Sequence, residues 1–172
     1  MLSDHAAVLE QLLDHLATAG AQHIAPLASS TVTDWGRTLQ RTYLGWSERR
    51  RPRLWEMAFG SPSTVMQDNV RALLNADADV DALVCAPDGA AAAVLPVIRA
   101  AGRTIGRDLL LASCVDSTAL AHPPITAIDL RPRDAGDSGA RLLFDILSGE
   151  APPGTVRTQA IGLIERASTR RA

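Results

Sequence analysis

Two short stretches, "VDALVCAP" (residues 80–87) and "DLLLASCV" (108–115), limit what this chain can fold into. Each runs apolar without alternation and is too short for an ordinary helix. A strand apolar on both faces needs cover on both sides, which parallel sheets between helical layers provide. Between them lies "DGAAAAVLPVIRAAG" (88–102), which reads as a helix that stops at Gly102 and is kinked by Pro96. The alternation extends in both directions. Leu9, Leu12, Leu13 and Leu16 recur at helical spacing between a cap at Ser3 or Asp4 and a stop at Gly20. "HIAPLASS" then predicts a strand, "TVTDWGRTLQRTYLGWSERRR" a helix with Tyr43 and Trp46 on its core side, "RLWEMAFG" a strand, and "SPSTVMQDNVRALLNA" a helix opened by Pro62. After "HPP" (122–124) the order is strand "ITAIDL", helix "RDAGDSGARLLFDILSG", and strand "VRTQAIGLIERAS" beyond the linker "EAPPGT". The expected fold is α/β: a three-layer, Rossmann-like parallel sheet in one domain spanning residues 1–172.

Composition narrows the function. The 172 residues are 47% hydrophobic and 21% charged with a net charge of −2, which suits a globular domain and argues against a polyanion-binding face. All 17 basic residues are arginine, so neither a phosphate-loop lysine nor a Schiff-base lysine exists. The one basic cluster, Arg49, Arg50, Arg51 and Arg53, falls at a helix end, where cations oppose the dipole favourably. Cys85 and Cys114 sit in the apolar runs and read as buried thiols. His5, His15, His23 and His122 do not fall at metalloprotease spacing; His15 reads as a surface or packing residue rather than a ligand and His122 as a turn residue. No glycine-rich nucleotide loop or nucleophile elbow follows a strand. The chain is not expected to be an enzyme, and no cofactor or metal is implied. No apolar run reaches membrane-spanning length and no signal segment opens the chain, so a cytoplasmic protein without membrane contact is expected.

What remains is position. Parallel sheets bind ligands beyond the carboxyl ends of their strands. Trp35, Asp88, Asp116 and Ser117 fall there, and carboxylates, a hydroxyl and an aromatic face suit a sugar-like molecule. Each also has a plainer reading. Asp88 can cap a helix, Asp116 with Ser117 can cap a turn at "STALA", and Trp35 can pack over the sheet edge.

The order of these segments resembles the effector-binding domain of LacI/GalR-type transcriptional regulators, a type I periplasmic-binding-protein-like lobe. "VLEQLLDHLATAGAQHIAPLAS", "DALVCAPDGAAAAVLPVIRAAGRTIGRDLLLASCVDS", "PPITAIDLRPRDAGDSGARLLFDILSGEAPP" and the C-terminal "LIERAST" carry the resemblance across nearly the whole chain. It implies that Asp116 is a strand-end acid facing the effector, that "HPPITAIDL" is a crossover between two lobes, and that Arg41 or Arg37 contacts the effector. It further implies a sugar-like effector, a homodimer, and operator DNA bound only through an N-terminal helix-turn-helix that this sequence does not contain. Residues 126–149 would belong to the other lobe, so Ile128, Leu130, Leu142, Leu143, Phe144, Ile146 and Leu147 would have to repack onto this lobe or be covered in a homodimer. The runner-up is a solute-binding protein of a transport system, which shares the fold.

Overall fold

A computed structural model describes residues 2–29, 33–48, 55–57, 63–117, 120 and 124–171. The arginine cluster at Arg49, Arg50, Arg51 and Arg53, Pro62, most of the "STALA" turn, His122 and Pro123 lie outside them. In chain order the elements are β1 (Leu2–Ser3), α1 (His5–Thr18), β2 (Ile24–Ser29), α2 (Asp34–Trp46), β3 (Trp55–Met57), α3 (Ser63–Ala76), β4 (Ala82–Cys85), α4 (Ala90–Ala93), α5 (Leu95–Ala100), β5 (Leu110–Ser113), β6 (Thr126–Asp129), α6 (Pro132–Leu147), β7 (Thr158–Gln159) and β8 (Gly162–Ile164). A single helical turn, Ala167–Thr169, closes the chain.

The main sheet has the order β3-β2-β4-β5-β6-β8. Every neighbouring pair is parallel except β6–β8. The expected parallel sheet is therefore present, with one antiparallel edge strand. β1 and β7 form a separate parallel pair, so "VRTQAIGLIERAS" is two strands in two sheets rather than one. β4 and β5 are buried at every position, as their unbroken apolarity requires. The core has one cluster on each face of the sheet. Cys85 belongs to one cluster and Cys114 to the other, so the two thiols lie on opposite faces. Both are free, and burial pushes the Cys114 thiol up to about 12 and Cys85 higher still.

Local sequence explains the helices. The Asp4 carboxylate accepts from the Ala7 N–H at 3.0 Å and starts α1, whose Val8, Leu9, Leu12, Leu13 and Leu16 are all buried. Thr33 caps α2 in the same way through Gly36. Pro96 falls at the start of α5 and breaks the expected single helix into α4 and α5. Tyr43 is buried and donates its hydroxyl to the Ile24 carbonyl, while the Trp46 indole donates to Asp14, tying α2 to α1. Both residues are structural, as the helical stripe predicts.

Residues 126–149 divide. Strand β6, expected with the rest of 126–149 to belong to the other lobe, pairs with β5 and β8 of this sheet and buries Ile128. Helix α6 follows Arg131, whose φ is +45°, and buries only Leu142. Leu130 and Ile146 are half-buried. Leu143, Phe144 and Leu147 are 57%, 70% and 73% exposed, so α6 has not repacked onto the body.

Candidate effector face

β2 occupies the topological switch point: the chain leaves it outward to β3 and returns on its other side to β4. Crevices at such points, beyond the carboxyl ends of the strands, are the usual ligand sites of parallel α/β sheets. Trp35 follows β2, Asp88 follows β4, and Asp116 and Ser117 follow β5, which places all four at the carboxyl end. Helix α1 runs back against the strands, so its first residues lie at that end too. There His5 meets Trp35 edge to face, with ring centroids 6.4 Å apart.

The four differ in what already holds them. Asp88 is exposed, and its carboxylate makes no hydrogen bond or ion pair with any described residue. The capping reading fails because the helix start is one residue later: Gly89, at φ +72°, is the cap residue of α4 and no side chain caps it. A left-handed φ costs a residue with a Cβ about 1 kcal/mol or more, which explains glycine there. Asp88 is left as a free carboxylate at the strand end.

Asp116 is the opposite case. The Arg166 guanidinium grips both of its oxygens, with Nη1 2.7 Å from Oδ1 and Nη2 3.1 Å from Oδ2. Nη1 also donates to the Ile125 carbonyl at 2.7 Å. The side chains are 26% and 20% exposed. The hydrogen bond to Asp116 raises the Arg166 pKa against the opposing effect of burial. Asp116, expected to face the effector, thus also holds the C-terminal segment through Arg166. Ser117 is half-buried, and its carbonyl accepts from the Leu120 N–H.

Arg37 and Arg41 do not join this group. The buried side of α2 carries Gly36, Leu39, Gln40 and Tyr43, while both arginines are exposed. Arg37 pairs with Asp34 one turn away at 3.4 Å. The resemblance implies that Arg41 or Arg37 contacts the effector; both lie on the exposed side of α2.

The residues that sequence reasoning missed form a latch around "RAST" (166–169). Ser168 Oγ donates to the Leu111 carbonyl at 2.6 Å and accepts from the Thr126 N–H at 2.8 Å, joining β5 to β6. Thr126 and Thr169 hydroxyls meet at 2.7 Å, and Thr169 also contacts His15 Nε2 at 2.8 Å. His15 Nδ1 lies 3.5 Å from Glu165. His15, expected as a surface or packing residue, is half-buried and packs with these polar partners. Among the described residues no group of His, Cys, Asp and Glu could hold a metal ion, and no helix is long and apolar enough to cross a membrane.

Residues 13–169 match the periplasmic binding protein-like domain. The chain is 39% identical over 83 residues to the HTH-type transcriptional regulator CelR of Thermobifida fusca, a match covering 47% of this chain and 24% of that protein. A transcriptional regulator CelR–cellobiose complex superposes with a TM-score of 0.83 at 26% identity, over 96% of this chain and 52% of that one. A dimeric Lac repressor with an 11-residue C-terminal deletion superposes at 0.86 with 21% identity, over 98% of this chain and 63% of that one. The chain therefore spans about a quarter of the curated relative and about half to two thirds of these solved ones.

Proposed function

Because the chain belongs to the periplasmic-binding-protein-like family and, within it, to the LacI-type transcriptional regulators, we propose that its carboxyl-end face forms one wall of a cleft for a sugar-like effector. The observation that carries this reading is the free Asp88 carboxylate beside the switch point, on the same sheet end as Ser117 and Trp35. A carboxylate accepts paired hydrogen bonds from neighbouring sugar hydroxyls, and the indole offers an apolar face to a pyranose. Asp116, gripped by Arg166, sets the shape of the β5 end and contributes its unused lone pairs. A relative's complex with cellobiose supports the choice of ligand class. Regulators of this family are not enzymes, and in this reading effector binding biases two arrangements of the protein instead of driving a reaction. Operator DNA is contacted by residues other than these. The uncovered α6 face and the dimeric relative support a homodimer as the working assembly.

The test is an NMR titration with cellobiose, lactose and other disaccharides. One of these sugars should shift the amides of residues 88 and 117 and the Trp35 indole together. Asp88→Ala should weaken that sugar by roughly tenfold or more, the size of a lost charge-assisted hydrogen bond. Shifts confined to other parts of the molecule, or an unchanged affinity in Asp88→Ala, would overturn the assignment.

A further inference from the structure

The opposite end of the sheet holds a cavity that the effector reading does not use. It encloses about 390 Å³, within the range of small-molecule sites. Arg99, Arg103 and Thr104 form its polar side; Ile105, Pro124 and Ala167 form its apolar side. These residues lie just before β5 and β6 or just after β8, at the amino end of the parallel strands.

The charge balance there is uneven. Arg103 is held by backbone carbonyls: Nη1 donates to Ala78 at 3.2 Å, and Nη2 to Val80 at 2.6 Å and Asp108 at 3.0 Å. Its Nε is buried without a hydrogen-bond partner. Carbonyls fix a guanidinium in place but do not cancel its charge. Asp108 forms a long ion pair with Nε at 3.8 Å, and the same oxygen accepts from the Thr104 N–H at 2.6 Å, so the charge of Arg103 is offset only in part and that of Arg99 by no described residue. Arg99, four residues before Arg103, is exposed, and its side chain makes no hydrogen bond or ion pair with a described residue. No carboxylate lines the cavity. The wall is rigid as well: Gly106, at φ +81°, brings its turn so close to the closing helical turn that a Cβ would meet the Ala167 and Arg170 carbonyls at 3.2 Å.

We propose that this cavity binds a small organic anion, its phosphate or carboxylate head between Arg99 and Arg103 and its apolar body against Ile105, Pro124 and Ala167. Arg99 supplies its whole guanidinium and Arg103 the one Nη1 hydrogen that Ala78 leaves unused, and the apolar wall gives an organic anion an advantage over a bare inorganic one. The cavity wall at Ala167 and Ser168 continues directly from Arg166, so an occupant touches the segment that pins Asp116 at the far end.

The experiment titrates the 172-residue chain with phenyl phosphate, inorganic phosphate and phenol, followed by amide NMR and calorimetry. Phenyl phosphate should bind saturably and shift the amides of residues 104, 105, 167 and 168. Inorganic phosphate should bind at least tenfold more weakly, and phenol should not saturate. Arg99→Gln, at an exposed position where folding should be unaffected, should weaken phenyl phosphate about tenfold, the size of one lost charge-assisted hydrogen bond. Arg99→Lys should restore most of the affinity. Absent saturation, an unaffected Arg99→Gln, or shifts centred on residues 88 and 117 would each overturn the proposal. Equal binding of inorganic and phenyl phosphate would remove the apolar half of it.

Discussion

Helices α1 and α6 are written in the same grammar and meet different fates. Each has apolar residues at helical spacing on one side and charges on the other. α1 buries five of them against the sheet and α2, whereas α6 buries only Leu142 and presents Leu143, Phe144 and Leu147 to solvent. The two helix starts differ in the same sense. α1 begins on a hydrogen-bonded Asp4 cap with His5 packed on Trp35, while α6 begins on a left-handed Arg131 with no side-chain cap. An amphipathic stripe thus declares that a surface is to be covered; it does not say by what. On α1 the cover is this domain, and on α6 no described residue covers Leu143, Phe144 and Leu147.

The largest expected effect tests this contrast directly. Leu12 is fully buried at the centre of the α1 stripe, and Leu12→Ala should cost about 3–5 kcal/mol in chemical denaturation, through lost burial and the cavity left behind. Leu147→Ser should change stability by no more than about 0.5 kcal/mol in the monomer, since the side chain is already in water. If the α6 face joins two copies, Leu147→Ser with Phe144→Ser should shift sedimentation toward monomer at concentrations where the parent chain is dimeric. A large stability loss at Leu147 would show that α6 is covered by its own domain and erase the contrast.

The next effect concerns the latch that closes the body to which α1 belongs. Asp116→Ala leaves the Arg166 guanidinium largely buried without its carboxylate, and should destabilise the fold by roughly 3 kcal/mol. Arg166→Ala should cost a similar amount. The double variant should cost clearly less than the two combined, because each single change already removes the same pair. Additive losses would mean that the two residues act separately and that Asp116 is free for another role. An Asp116 variant is therefore a poor probe of ligand binding, since it alters the scaffold. Asp88→Ala, which breaks no bond to a described residue, is the cleaner one.

These differences mark where the sequence is informative. The unbroken apolarity of β4 and β5 dictates strands covered on both faces, and the helical stripes between them dictate the layers, so the parallel core was legible from local pattern. Pro96 announced its own helix break. The antiparallel direction of β8 was not legible, because a half-buried edge strand carries no directional pattern. Nor was the β1–β7 pairing, which joins two-residue segments some 156 positions apart in the chain. The site was legible as an address only. Strand order put Trp35, Asp88, Asp116 and Ser117 at one end, but which carboxylate is free depends on contacts with no local signature. Arg166 lies 50 residues from Asp116, and the cap that Asp88 was expected to supply is displaced by the backbone geometry of Gly89. The "LIERAST" segment marked the latch without indicating that Arg166 would close on the strand-end acid.

The smallest effect examines the packed start of α1. Burial against Trp35 lowers the His5 pKa, and the nearby Asp4 opposes that shift only in part. The folded chain therefore prefers neutral His5. As pH falls through the usual imidazole value near 6.5, the unfolded chain takes up the proton first, so this contribution is complete above that value. It is lost progressively toward the lower pKa of the folded state. His5→Gln should flatten the stability profile between about pH 7 and pH 5 relative to the parent, with the curves differing most at the neutral end. A profile that steepens, or that rises toward acid only in the parent, would place His5 in a site favouring its charged form. The start of α1 would then be as open to solvent as that of α6, and the contrast between the two helices would rest on the leucine stripe alone.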